Sequence, residues 1–76
     1  MPTITFNAFS FLQKKLKERN IPFSNVEMEI DDGVSVLDIV SKVGLMKDEV
    51  EVAFVNGRVK SLTTKIHHGE RVALVP

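Results

Sequence analysis

The side chains able to do chemistry in this sequence are His67 and His68, the paired carboxylates Asp31 and Asp32, and the hydroxyls of Ser10, Ser24, Ser35, Ser41 and Ser61. Adjacent imidazoles in a turn or strand point apart, and no cysteine or carboxylate spacing completes a zinc ligand set around them. Asp31-Asp32-Gly33 has the composition of a turn rather than of a general acid and base. The serines fall at caps and loops, without the strand-to-helix elbow that a nucleophile needs. Gly33, Gly44, Gly57 and Gly69 are scattered singly and form no phosphate-cradling loop. With no cysteine in the chain, disulfides, thiolate zinc sites and a cysteine nucleophile are excluded together. These residues predict no catalytic group, no metal and no cofactor, and so a carrier or binding protein rather than an enzyme.

The elements that position these residues are clearly punctuated. Asn56-Gly57 lies among β-branched residues, and a type I′ hairpin turn needs φ > 0 at both central positions, which Asn and Gly accept cheaply. It predicts a hairpin between Glu51–Val55 and a return strand over Arg58 to Leu62. A loop through Thr63, Thr64 and Lys65 then leads to Ile66 as a buried plug. His67-His68-Gly69-Glu70 turns the chain into a last strand, Arg71 to Val75. At the other end, Ile4, Phe6 and Ala8 alternate with Thr3, Thr5 and Asn7, the period of a half-buried strand. Val26, Met28 and Ile30 alternate with Glu27 and Glu29 in the same way.

Two helices fit between these strands. Ser10 is placed to cap a helix running to about Arg19, with Leu12 and Leu16 on one face and Asn20 and Pro22 ending it. In the second, Ser35 and Asp38 have the spacing of a capping box. Val36, Ile39, Val40 and Val43 form its apolar stripe, and Gly44 followed by Leu45 suits a left-handed C-cap with its hydrophobic contact. The expected core is Ile4, Phe6, Val26, Met28, Ile30, Val36 or Leu37, Val40, Val43, Ile66, Val72 and Leu74.

A chain of 76 residues is expected to be one small domain, burying roughly 60–65% of its unfolded surface. No apolar run approaches the ~20 residues of a membrane helix, and the N-terminus lacks the basic and apolar regions of a secretory signal. The expected location is the cytoplasm. Ten basic and ten acidic residues balance to zero net charge, which argues against nucleic acid as the main partner. Charges are nevertheless sorted into runs: Lys14, Lys15, Lys17 and Arg19, then Glu27, Glu29, Asp31 and Asp32, then Arg58, Lys60, Lys65 and Arg71. Solvated faces explain such sorting, and it can also steer a charged partner.

The order β, α, β, α, β, β, β predicts an α+β fold, a mixed sheet packed on one main helix with a short helix after the first strand: the β-grasp, or ubiquitin-like, roll. Val55-Asn56-Gly57-Arg58-Val59, the Gly69-Glu70 turn and the terminal strand Arg71–Val75 resemble the C-terminal half of the MoaD/ThiS family of ubiquitin-like sulfur carriers. The TGS domain shares those turns, but it normally joins its first two strands by a tight hairpin where this sequence inserts a helix. Resemblance to the carriers implies a partner of the ubiquitin-activating type that adenylates a C-terminal carboxylate. Sulfur then replaces AMP to give a thiocarboxylate, and a synthase accepts that sulfur for molybdopterin, thiamine or a related product. The carriers act through a mobile tail ending in Gly-Gly; Pro76 stands where such a tail would begin, and Gly-Gly is absent from these residues.

A strand apolar on both faces, as Val52–Val55 is, leaves one face for a partner when a single helix covers the other. The expected partner interface therefore centres on Phe54, Ala73 and Val75, with Arg58 or Arg71 at its rim. Two alternatives to the carrier remain: a ubiquitin-like interaction module without a reactive tail, and a TGS-like nucleic-acid accessory domain using Lys14, Lys15, Lys17 and Arg19.

Overall fold

The computed structural model describes every residue from Met1 to Pro76. Five strands and two α-helices follow the expected order: β1 (Thr3–Ala8), α1 (Phe11–Glu18), β2 (Val26–Glu29), α2 (Val36–Lys42), β3 (Val52–Val55), β4 (Arg58–Lys60) and β5 (Arg71–Val75), with a 3₁₀ turn at Lys47–Glu49. The strands form one sheet in the order β2-β1-β5-β3-β4. β1 and β5 run parallel at its centre, and the other neighbours are antiparallel. This is the mixed sheet of the β-grasp roll. No helix is long and apolar enough to cross a membrane.

Strand alternation divides the sheet into two faces. Phe6 and Ala8 of β1 pair with Val72 and Leu74 of β5, which pair in turn with Val55 and Ala53 of β3, and these six residues and Ile4 are all buried. They join Leu12 and Leu16 of α1, Val36, Ile39 and Val40 of α2, and Val43, Leu45, Val50 and Ile66 in one cluster. Of the expected core, Val26 and Met28 are only half-buried. They belong to edge strand β2, which has a neighbour on one side only. Leu37 is likewise half-buried, while Val36 is fully inside.

The helix ends show local chemistry at work. At α2 the Ser35 hydroxyl accepts from the Asp38 N–H at 3.2 Å, and the Ser35 N–H donates back to the Asp38 carboxylate at 2.8 Å. That backbone bond is the main cause of an Asp38 pKa below its ordinary value; the Ser35 hydroxyl and Lys65 act in the same direction, and desolvation opposes them. Gly44, at φ 79°, closes the C-terminus, with its N–H on the Ser41 carbonyl and the Leu45 N–H on the Val40 carbonyl, both at 3.0 Å. This is a Schellman cap with Leu45 as its hydrophobic contact.

α1 departs from expectation at its start. Ser10 occupies the cap position at φ 55° and makes no side-chain capping bond. The first turn is held instead by the Gln13 N–H on the Ser10 carbonyl at 3.0 Å and by the Gln13 side-chain amide reaching back to the Ala8 carbonyl at 2.9 Å. Its end is regular: Asn20, at φ 58°, and the Ile21 N–H on the Leu16 carbonyl form a second Schellman cap. β4 stops at Lys60 rather than Leu62. The chain leaves the sheet there because Leu62 and Thr64 turn their carbonyls to the Leu37 and Val36 N–H groups, satisfying donors that the first turn of α2 cannot satisfy internally.

Candidate functional site

The face opposite the helices carries the other half of every strand. Its residues are Glu27 and Glu29 on β2, Thr3, Thr5 and Asn7 on β1, Arg71, Ala73 and Val75 on β5, Val52 and Phe54 on β3, and Val59 on β4, following from the paired registers. None of them is buried. The face is polar over β2 and β1 and apolar over β5, β3 and β4. Val59, 66% exposed, lies directly across from Phe54. Apolar surface gathered on one side of a small fold makes this face the candidate interaction site.

Within this face an open groove of about 450 Å³ is lined by Asn7, Phe9, Phe54, Arg71, Ala73 and Val75, among others. Of the residues expected at a partner interface, Phe54, Ala73, Val75 and Arg71 thus come together. Arg58 does not: it pairs in register with Val55, whose side of the sheet is the helix side, and so it projects away from Phe54. Pro76 follows Val75 at the end of β5, beside the groove. Phe9, 45% exposed, is a wall of the groove that sequence reasoning missed. It continues the parity of Thr3, Thr5 and Asn7 one step past β1, and its N–H still bonds to the Leu74 carbonyl at 3.1 Å; extending the alternation by two residues reveals it.

The polar end of the groove is built by the turns. Asn56, at φ 53°, and Gly57, at φ 80°, form the hairpin turn that the Asn-Gly pair predicts. The Asn56 N–H donates to the Arg71 carbonyl at 2.9 Å, and the Asn56 side-chain carbonyl accepts the Arg71 N–H at 3.0 Å. The turn is thereby fixed to the start of β5. Glu70 accepts from the His67 N–H at 2.6 Å and from the Asn56 side-chain amide at 3.1 Å, so its carboxylate serves both turns. The Arg71 guanidinium donates to the Asn25 side-chain carbonyl at 2.8 Å, and that same oxygen accepts from the Asn7 amide at 2.8 Å.

Among the other candidates for chemistry, one has a clear structural role. The His68 Nδ1 accepts the Thr3 N–H at 3.0 Å, tying the last turn to the start of β1. No group of three metal-ligating side chains comes together. In the basic run of α1, Lys15 pairs with Glu49 and Arg19 donates to the Gly44 carbonyl. Half of that run is therefore occupied within the fold.

No protein-family model and no curated protein sequence matches the chain. Solved structures do. Small archaeal modifier protein 1 of Haloferax volcanii superposes with a TM-score of 0.72 at 17% identity, over 100% of this chain and 98% of that one. A putative molybdopterin converting factor, subunit 1, from Pyrococcus furiosus gives a TM-score of 0.74 at 20% identity, again over 100% of this chain and 98% of that one. A further Haloferax volcanii structure of the modifier gives 0.66 at 19% identity, over 97% and 93%. The first two superpositions cover this chain from end to end: it has the β-grasp, ubiquitin-like fold of these structures.

Proposed function

We propose that this protein is a ubiquitin-like sulfur carrier that an activating enzyme recognises through the apolar face of its sheet. The observation that carries the reading is the position of β5. It lies at the centre of the sheet, and its outward residues Arg71, Ala73 and Val75 line the groove. A tail beginning at Pro76 would start beside the docking surface, from a point held by strands on both sides. In this reading the tail's carboxylate attacks the α-phosphorus of ATP and pyrophosphate leaves. A sulfur donor then displaces AMP from the acyl-adenylate, and a synthase in the cytoplasm takes the sulfur. This chain supplies the docking face, with Phe54, Ala73 and Val75 at its centre and Arg71 at its rim, and the activating enzyme supplies the chemistry. The solved relatives, a molybdopterin converting factor subunit and a small archaeal modifier by their names, agree with a carrier or modifier role.

The test extends the chain with its native residues, or with a Gly-Gly tail, and incubates it with an adenylating enzyme of the same organism, ATP and a sulfur donor. The expected result is a mass gain of one sulfur-for-oxygen exchange at the C-terminus, lost in Phe54→Asp while the thermal melt stays cooperative. Failure of every such enzyme to adenylate the extended chain would overturn the carrier reading in favour of a docking module.

A further inference from the structure

The groove is lined mainly by apolar residues with Arg71 as its one charged member, and that cation has no anionic partner in the fold. The chain's one ion pair joins Lys15 to Glu49, and no carboxylate reaches Arg71. Glu70, its sequence neighbour, is committed to the His67 N–H and the Asn56 amide. Glu27 is in the same cross-strand row, but two strands away with Thr5 between them. The Arg71 side chain is nevertheless held in place. Asn25, in the left-handed region at φ 47°, turns its side-chain carbonyl to the guanidinium at 2.8 Å. Asn7 fixes Asn25 in turn, by donating to that oxygen at 2.8 Å and accepting the Asn25 N–H at 2.9 Å. A guanidinium has five N–H donors, and this bond uses one of them. An oriented fork with free donors beside an apolar groove matches a carboxylate, which accepts two parallel bonds from it.

We propose that Arg71, positioned by Asn25 and Asn7, reads a carboxylate on the partner protein, and that the groove between Phe9 and Phe54 takes an aromatic or aliphatic side chain next to that carboxylate. The inference rests on partner docking at this face and adds the chemistry of what docks: an acidic residue flanked by a large apolar one. Arg71 and the two phenylalanines would touch the partner. Asn25 and Asn7 act through Arg71 and are positioning residues.

The smallest probe with both features is 3-phenylpropionate, and its amide is the matched neutral control. Titrating each into ¹⁵N-labelled protein, the expected result is a shift pattern centred on Phe9, Phe54, Arg71 and Ala73, with the carboxylate favoured over the amide by about tenfold, the value of one charge-assisted bond pair near a surface. Arg71→Met is expected to abolish that preference and leave amide binding unchanged. Arg71→Lys keeps the charge but loses the fork, and is expected to retain no more than about a third of the preference. Asn25→Ala is expected to weaken the preference and make it fall more steeply with salt, because a freed guanidinium interacts as a mobile surface charge. Equal affinity for acid and amide, a preference that survives Arg71→Met, or shifts on another face would each overturn the proposal. So would concentration-dependent dimerisation through this face in sedimentation, since a second copy would then be its occupant. These readouts need no adenylating enzyme, so their failure is distinct from a failure of the carrier chemistry.

Discussion

Replacing Leu16 with alanine tests how α1 is held. The helix has eight residues and no side-chain N-cap, and helices shorter than ~12–15 residues are marginal alone in water. Its attachment is therefore tertiary: Leu12 and Leu16, both 0% exposed, plus the Lys15–Glu49 pair and the Arg19 bond to the Gly44 carbonyl. The polar contacts are at the surface, where such pairs contribute at most about 1 kcal/mol each. A fully buried leucine truncated to alanine costs about 2.7–5 kcal/mol, from lost transfer energy and the cavity left behind. A chain of 76 residues has a total stability of about 4–11 kcal/mol, so Leu16→Ala removes about a quarter of it or more. A loss of about 3 kcal/mol corresponds to a fall in Tm of roughly 12–24 °C. Urea unfolding of Leu16→Ala, Leu12→Ala and the exposed control Lys17→Ala measures this directly. The two leucine variants are expected to shift the midpoint strongly at unchanged m, and the lysine variant by no more than about 0.5 kcal/mol. A cost below about 1 kcal/mol for Leu16→Ala would refute the packing of α1 into the common core.

Val40→Asp places an unpaired charge at the centre of the cluster and is expected to abolish the cooperative melt in circular dichroism. At Gly57 nothing lies within 4 Å of an added Cβ, so the cost of Gly57→Val, about 1–3 kcal/mol, is assigned to backbone strain at positive φ; a variant as stable as the parent in urea would show that the turn relaxes freely. Asp38 has a lowered folded-state pKa, so its contribution to stability is fully present above the unfolded-state value and is lost as pH falls through the folded one. Urea midpoints from pH 6 down to pH 2 are therefore expected to fall less in Asp38→Asn than in the parent; parallel curves would remove Asp38 from the pH dependence.

The parts of the fold written in local chemistry were legible in the sequence. Ser35 with Asp38, Gly44 with Leu45, and Asn56 with Gly57 each encode a backbone geometry that few other residues accept, and all three motifs form where their spacing places them. Strand parity did the same for Ile4, Phe6, Val72 and Leu74. What could not be read were features set by neighbours distant in sequence. Val26 and Met28 alternate as a core strand should, yet the place of β2 at the sheet edge leaves them half covered. Ser10 has the right residue type for a cap, but the path of the chain from β1 sends it to positive φ and away from the role. The site divided in the same way. Phe54, Ala73 and Val75 were visible from alternation, whereas the position of Arg58 depended on the register across the Asn-Gly turn, and Asn25 is joined to Arg71 across 46 residues of sequence.

The parallel pairing of β1 with β5 links stability to presentation of the C-terminus. Thr5 pairs with Arg71 and Ala8 with Leu74, so the sheet cannot close until nearly the whole chain is in place. Loop-closure entropy makes such pairing slow to form. Once formed, it leaves β5 with neighbours on both sides, β1 and β3, and no frayed edge. Leu74 and Val72 face the core while Ala73 and Val75 face the groove. The same five residues thus anchor the fold through one set of side chains and line the proposed docking groove through the other. A partner that grips Ala73, Val75 and Arg71 holds a strand that cannot shift without opening the core. The geometry of anything beginning at Pro76 is then fixed relative to the partner at its first residue, as a carrier handing its end to an enzyme requires.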